Sequence, residues 1–116
     1  MDNKTIARVF EEIGDILEIQ GADFFRVNAY RKASLTIANF SRDLRQLVDQ
    51  NSSELNNIPG IGNVLKAKII ELVQTGKCKE HEELKKGFPK GLLEMLQIRG
   101  LGPKKVKLFY SELKIT

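Results

Sequence analysis

The sequence predicts an all-α fold, a compact helical domain in which two short glycine-bearing turns each join one helix to the next. Three observations predict it. Apolar residues recur at helical spacing in one segment after another, as at Ile6, Val9, Phe10, Ile13, Ile16 and Leu17. No stretch alternates apolar and polar residues as a half-buried strand does. The pattern apolar–X–Gly–apolar–Gly occurs twice in register, at Ile58-Pro59-Gly60-Ile61-Gly62 and at Ile98-Arg99-Gly100-Leu101-Gly102.

The first helix starts from a cap at Asn3 and stops at Gly21, with an apolar stripe that marks it as a core-packing element carrying no site. Asp23 caps a second helix running to about Ala38, with Phe24, Val27, Ala33 and Ile37 facing inward. Arg26 and Tyr30 are one helical turn apart and share a face, flanked by Arg31 and Lys32. Ser41 caps a short third helix that buries Leu44, Leu47 and Val48. A single turn through Ser53–Leu55 leads into the first glycine turn. The next helix spans about Asn63 to Thr75 and ends at Gly76, with Leu65, Ile69, Leu72 and Val73 as its stripe. Lys66 lies off that stripe and Lys68 at its shoulder. Residues 77–87 are charged and form a short exposed helix. Pro89 suits the first turn of the following helix, which Leu92, Leu93 and Leu96 pack inward. The last helix opens at Pro103 and buries Val106, Phe109 and Leu113. The division this suggests is a small helical domain over 1–76, a connecting segment over 77–90, and a second module over 91–116.

The two turns carry the functional reading. Gly60 and Gly62 adopt positive φ at no steric cost, and Ile61 between them points inward as a plug. The free N–H groups of the helix that follows then face whatever lies over the turn. With no side chains at the glycines, a phosphate can approach closely. This is the helix-hairpin-helix arrangement, which holds a nucleic-acid backbone without reading bases. A single such turn is as well explained as an ordinary connection between helices. Two copies, each opening a basic helix (Lys66 and Lys68 in one, Lys104, Lys105 and Lys107 in the other), favour DNA.

The net charge of +4 is only mildly basic, but it is unevenly placed. Residues 1–25 hold two basic groups against six acids, so the remaining seventeen basic groups face nine acids over 26–116. The acidic first helix is not the face for a polyanion; the rest of the chain can be. One cysteine, Cys78, excludes an internal disulfide and a cysteine metal site, and reads as an incidental exposed thiol. The single histidine, His81, reads as part of a solvated helix face. No apolar run approaches membrane-spanning length and no signal peptide opens the chain, which places it in the cytoplasm, with no membrane partner.

The ordered set Asn28-Ala29-Tyr30-Arg31-Lys32-Ala33, Ile58-Pro59-Gly60-Ile61-Gly62, Thr75-Gly76-Lys77 and Ile98-Arg99-Gly100-Leu101-Gly102-Pro103 resembles the amino-terminal part of the family X DNA polymerases, of the bacterial or archaeal kind. The resemblance covers nearly the whole chain. It implies a monomeric DNA-repair module that binds gapped or nicked, 5′-phosphorylated DNA, as in base excision repair. The polymerase palm, with its Mg2+ or Mn2+ and nucleotidyltransferase chemistry, would lie beyond Thr116. It implies DNA contacts at Arg26, Tyr30, Gly60, Gly62, Lys66, Lys68, Gly100, Gly102, Lys104 and Lys105. Tyr30 and Arg26 match the residues that support the downstream 5′-phosphate, and Lys68 matches the family's lyase nucleophile. It implies a Na+ or K+ ion at the hairpins, held by the carbonyls of Ile58, Ile61, Ile98 and Leu101. Two positions depart from the pattern: Val64 and Glu80 stand where repair members carry basic residues.

Lyase action requires a neutral lysine amine to attack a sugar aldehyde as a Schiff base. Desolvation beside the apolar stripe, or nearby Lys66 and Arg31, would favour that form of Lys68. Three functions are therefore in competition: a phosphate-gripping DNA module, a 5′-deoxyribose-phosphate lyase using Lys68, and a protein-interaction module built on tandem hairpins.

Overall fold

The computed structural model describes residues 2–88 together with Glu94 and Val106. Its elements are α1 (Asn3–Ile19), α2 (Phe24–Ala38), α3 (Leu44–Asn51), a 3-10 segment (Ser52–Asn57), α4 (Asn63–Thr75) and α5 (Lys79–Lys86). All are helical, as the periodicity requires. The second hairpin, with Gly100, Gly102, Lys104, Lys105 and the carbonyls of Ile98 and Leu101, lies outside the described residues.

Helix α1 and helix α2 form the largest helix–helix contact. The connection between them is short because α1 ends in a left-handed glycine. Gly21 has φ +80, its N–H reaches Glu18 O at 3.1 Å, and Ala22 N–H reaches Leu17 O at 2.9 Å. That pairing satisfies the last carbonyls of α1 and reverses the chain. Along the crossing, the Ser34 hydroxyl donates to Ala7 O at 2.8 Å. Arg31 reaches back to Asp15 at 2.9 Å and to Glu18 at 3.3 Å. Burial pushes the Asp15 carboxyl up to about 6 despite the Arg31 guanidinium beside it.

One continuous core collects Ile6, Phe10, Ile13 and Leu17 from α1 and Val27, Tyr30, Ala33 and Ile37 from α2. Leu44, Leu47 and Val48 of α3, Leu55, Ile58 and Ile61 before α4, and Leu65, Ile69 and Leu72 of α4 close over them. A second cluster at the end of α1 joins Ile16 and Ile19 to Phe88 and Val106, with Leu84 touching both cores. Among the described residues no helix is long and apolar enough to cross a membrane.

Several local expectations are corrected. The cap of α1 is Asp2, whose carboxylate accepts from Thr5 N–H at 2.8 Å. Asn3 works across the fold instead: its side-chain oxygen accepts from Leu44 N–H at 2.9 Å and its amide donates to Arg42 O at 2.7 Å. The start of α3 is thus satisfied by Asn3 and by Asp43, whose carboxylate accepts from Arg45 N–H at 3.0 Å, and not by Ser41. Phe24 does not face inward. It is exposed and meets Phe25, also exposed, edge to face at 6.1 Å. Helix α5 forms as expected but is not a solvated element. Cys78 is fully buried at its start, and His81 is buried against α1, with Nε2 3.2 Å from Glu12 Oε1. Charge density misled at both positions, because α5 turns a narrow face inward with Cys78 and His81 on it, while Lys79, Glu83 and Lys86 stay exposed.

Candidate nucleic-acid interface

The hairpin is built from the chain as the sequence suggests, with one change. Ile58 N–H donates to Leu55 O at 3.3 Å and Ile61 N–H to Ile58 O at 3.3 Å, which tightens the turn. Ile58 and Ile61 are both buried, so Ile61 is the plug that locks the turn onto the core. Gly60 has φ +82, a conformation that L side chains rarely adopt. Gly62 does not share it. Its φ of −85 and ψ of −179 are ordinary extended backbone, because Gly62 is the N-cap of α4. It makes no side-chain cap bond, and a Cβ there would meet nothing within 4 Å. The expectation of positive φ at both glycines therefore holds for Gly60 alone: one left-handed residue completes the turn.

Helix α4 begins beneath this turn. Lys66 N–H is bonded to Gly62 O at 2.9 Å, which leaves the N–H groups of Asn63, Val64 and Leu65 directed out of the helix start. Val64 is exposed there, and the Lys66 ammonium leans back to Asn56 Oδ1 at 2.9 Å. The opening at the hairpin is thus lined by backbone donors, an apolar side chain and one lysine.

Arg26, Tyr30 and Lys68, proposed from separate stretches of sequence, come together in space. What joins them is Glu80. Its carboxylate accepts from Arg26 Nη2 at 2.6 Å through one oxygen. Through the other it accepts from Tyr30 Oη at 3.0 Å and Lys68 Nζ at 2.7 Å. Burial of the site would raise the Glu80 carboxyl, but the hydrogen bonds from Lys68 and Arg26 outweigh it and hold the group below its ordinary value. The Tyr30 phenol is pushed well up by burial and by the adjacent Glu80 carboxylate, so it stays a donor. Its ring stands edge-on to Phe10, with centroids 5.8 Å apart.

The turn before α5 positions Glu80. The Thr75 hydroxyl donates within this turn, lying 2.8 Å from Glu71 O and from Lys77 O. Gly76 closes α4 at φ +78, and the Glu71 carboxylate accepts from Lys79 N–H at 3.0 Å, satisfying a free donor at the start of α5. With Cys78 buried, the first turn of α5 is fixed and Glu80 is delivered to Lys68. Sequence reasoning placed Glu80 as a departure from a pattern and missed that it organises the cluster; its spacing from the Thr-Gly-Lys turn was the available signal. It also expected Lys66 and Arg31 beside Lys68. Both are engaged elsewhere, with Asn56 and with Asp15 and Glu18, and the neighbour of Lys68 is an acid. A surface concavity of about 420 Å3 along Asp2, Lys4, Phe40 and Arg42 shares no residue with either the hairpin or this cluster.

The chain is 35% identical over 115 residues to the DNA polymerase/3′-5′ exonuclease PolX of Bacillus subtilis (strain 168), in that protein's amino-terminal region. The match takes in 99% of this chain and 19% of the relative, so the chain spans about a fifth of that protein's length. A family model described as a helix-hairpin-helix domain matches residues 1–78, which contain the first hairpin, Arg26, Tyr30 and Lys68. With that match covering well over half of the sequence, the chain belongs to the helix-hairpin-helix domain family.

Proposed function

We propose that this chain is a DNA-backbone-binding module of a family X DNA polymerase, which holds gapped DNA without reading its sequence. The observation that carries this reading is the hairpin itself: one left-handed glycine sets bare backbone over the open start of α4. Backbone donors at a helix start suit phosphate oxygens and are indifferent to bases. The likeness to PolX supports placing the module in a DNA polymerase; a role in repair, and nucleotidyl transfer with Mg2+ or Mn2+ by other parts of the protein, belong to the same proposal. The same reading assigns the second hairpin, with Gly100, Gly102, Lys104 and Lys105, to backbone contact on the primer side. It also gives each hairpin a Na+ or K+ ion. Ile58 O, whose bond to Ile61 N–H is long at 3.3 Å, keeps a second lone pair that suits such an ion.

The test is a titration of the chain with gapped duplexes of unrelated sequence over a range of salt. Affinity is expected to be nearly the same for all sequences. It should fall with salt at a log–log slope of roughly 0.9 per phosphate neutralised. A strong preference for one sequence, or a salt-insensitive complex, would remove the reading, and no binding to any duplex would favour a protein-interaction module.

The lyase alternative turns on Lys68. Its side chain is mostly buried, which suits a Schiff-base lysine, but its nitrogen is engaged by Glu80 at 2.7 Å. An ammonium donating to a carboxylate has no free lone pair for an aldehyde. Borohydride trapping on a 5′-deoxyribose-phosphate substrate is therefore expected to give no adduct above that of Lys68→Ala. A strong adduct in the native chain, absent from the variant, would make Lys68 a nucleophile.

A further inference from the structure

The cluster around Glu80 gathers three donors on one carboxylate. Arg26 offers a guanidinium, Lys68 an ammonium and Tyr30 a phenol, from two helices, and all three point at one carboxylate between 2.6 and 3.0 Å. These are the donors and distances that a terminal phosphate takes. We propose that Glu80 is a specificity-determining residue: it occupies the anion position between Arg26, Tyr30 and Lys68, competes there with a DNA 5′-phosphate, and leaves the chain gripping gapped DNA through its hairpin with little preference for a phosphorylated end. The inference rests on the reading of the chain as a DNA-binding module.

Three features make the competition effective. The first is charge: Arg26 and Lys68 supply two positive charges and Glu80 removes one. A terminal phosphate carrying about −1.5 to −2 thus meets a site with half the positive charge its ligands could offer. The second is exclusion, since both Glu80 oxygens are in use and a phosphate placed beside them would face like charge in a half-buried setting. The third is tethering. Buried Cys78 and His81 flank Glu80, and Glu71 holds Lys79 N–H, so the carboxylate is presented intramolecularly at a high effective concentration. To admit a phosphate, the Glu80 side chain must swing away and give up its bonds to Arg26, Tyr30 and Lys68.

The experiment measures binding of the native chain and of Glu80→Gln to two gapped duplexes identical but for a 5′-phosphate or 5′-hydroxyl at the gap. For the native chain the two affinities are expected to agree within about twofold. Glu80→Gln should tighten binding to the phosphorylated gap by about tenfold, the gain from freeing one charged contact, and change the hydroxyl gap little. A native preference for the phosphate of tenfold or more overturns the proposal without any variant. So does a folded Glu80→Gln, checked by circular dichroism, whose preference equals the native one. Should that variant not fold, Glu80→Lys serves in its place, with the same expected gain and the same contrary result. Failure to bind either duplex would count against the DNA-binding reading, whereas binding with the wrong ratio would count against the role of Glu80 alone.

Discussion

Phe10→Ala is expected to cost about 3–5 kcal/mol of folding stability, the usual range for emptying a fully buried aromatic position. Phe10 has no exposed surface and sits in the main core of α1 and α2. Its ring also supports Tyr30 edge-on, a contact that contributes roughly 0.5–1.5 kcal/mol beyond area burial. Against a total of about 5–15 kcal/mol for a domain of this kind, the loss is a large fraction. It reaches the site as well, because the Tyr30 hydroxyl it steadies is one of the three donors on Glu80. Phe25→Ala is the control. Phe25 is 80% exposed, and its loss should fall within about 0.5 kcal/mol. Urea unfolding of the two variants measures the difference. Equal losses would mean that α1 and α2 do not pack as described.

The second large effect is at the hairpin. Gly60→Val places a β-branched residue at φ +82, a conformation that costs on the order of 1–3 kcal/mol outside glycine. Crowding is not the cause, since the nearest atom to an added Cβ is Thr36 Oγ1 at 3.9 Å. Because the strained turn also aims the start of α4, melting temperature and DNA affinity should fall together. Gly62→Val behaves differently. Its backbone is extended and its surroundings are open, so stability should stay within about 0.5 kcal/mol of the native chain. Its isopropyl group would nevertheless stand in the path of a phosphate approaching the α4 donors, and affinity for gapped duplex should drop on the order of tenfold. Thermal melting and binding titrations on the pair separate backbone strain from phosphate access. If Gly62→Val keeps native affinity, the grip is not at this helix start.

The helices were legible because each carries its own signal. The stripe Ile6, Phe10, Ile13, Leu17 and the stop at Gly21 are local facts, as are the stripe Leu65, Ile69, Leu72 and the stop at Gly76. Legibility failed where a local rule admits two outcomes. Asp2 and Asn3 are both good caps, and only the docking of α3 recruits the Asn3 side chain to Leu44. Phe24 lies at the first turn of α2, where apolar character does not decide direction, and the neighbouring helices leave it outside. His81 and Cys78 lie in a charged run whose composition says nothing of the one face that is buried, with His81 against α1.

The sequence by itself determined that the chain is helical, that a glycine turn precedes α4, and that Arg26 and Tyr30 share a face, because helix periodicity and glycine's freedom act within a few residues. Tertiary structure decided the rest. Only one of the two hairpin glycines turns left-handed, because the other must serve as the extended cap of α4. Glu80, more than fifty residues from Arg26, becomes the anion that Arg26, Tyr30 and Lys68 share. No local rule could supply that contact: it exists because the Thr75–Lys77 turn, the buried Cys78 and the packing of α5 on α1 bring Glu80 to Arg26, Tyr30 and Lys68, and a carboxylate brought among three donors is more stable there than any one of them left unpaired.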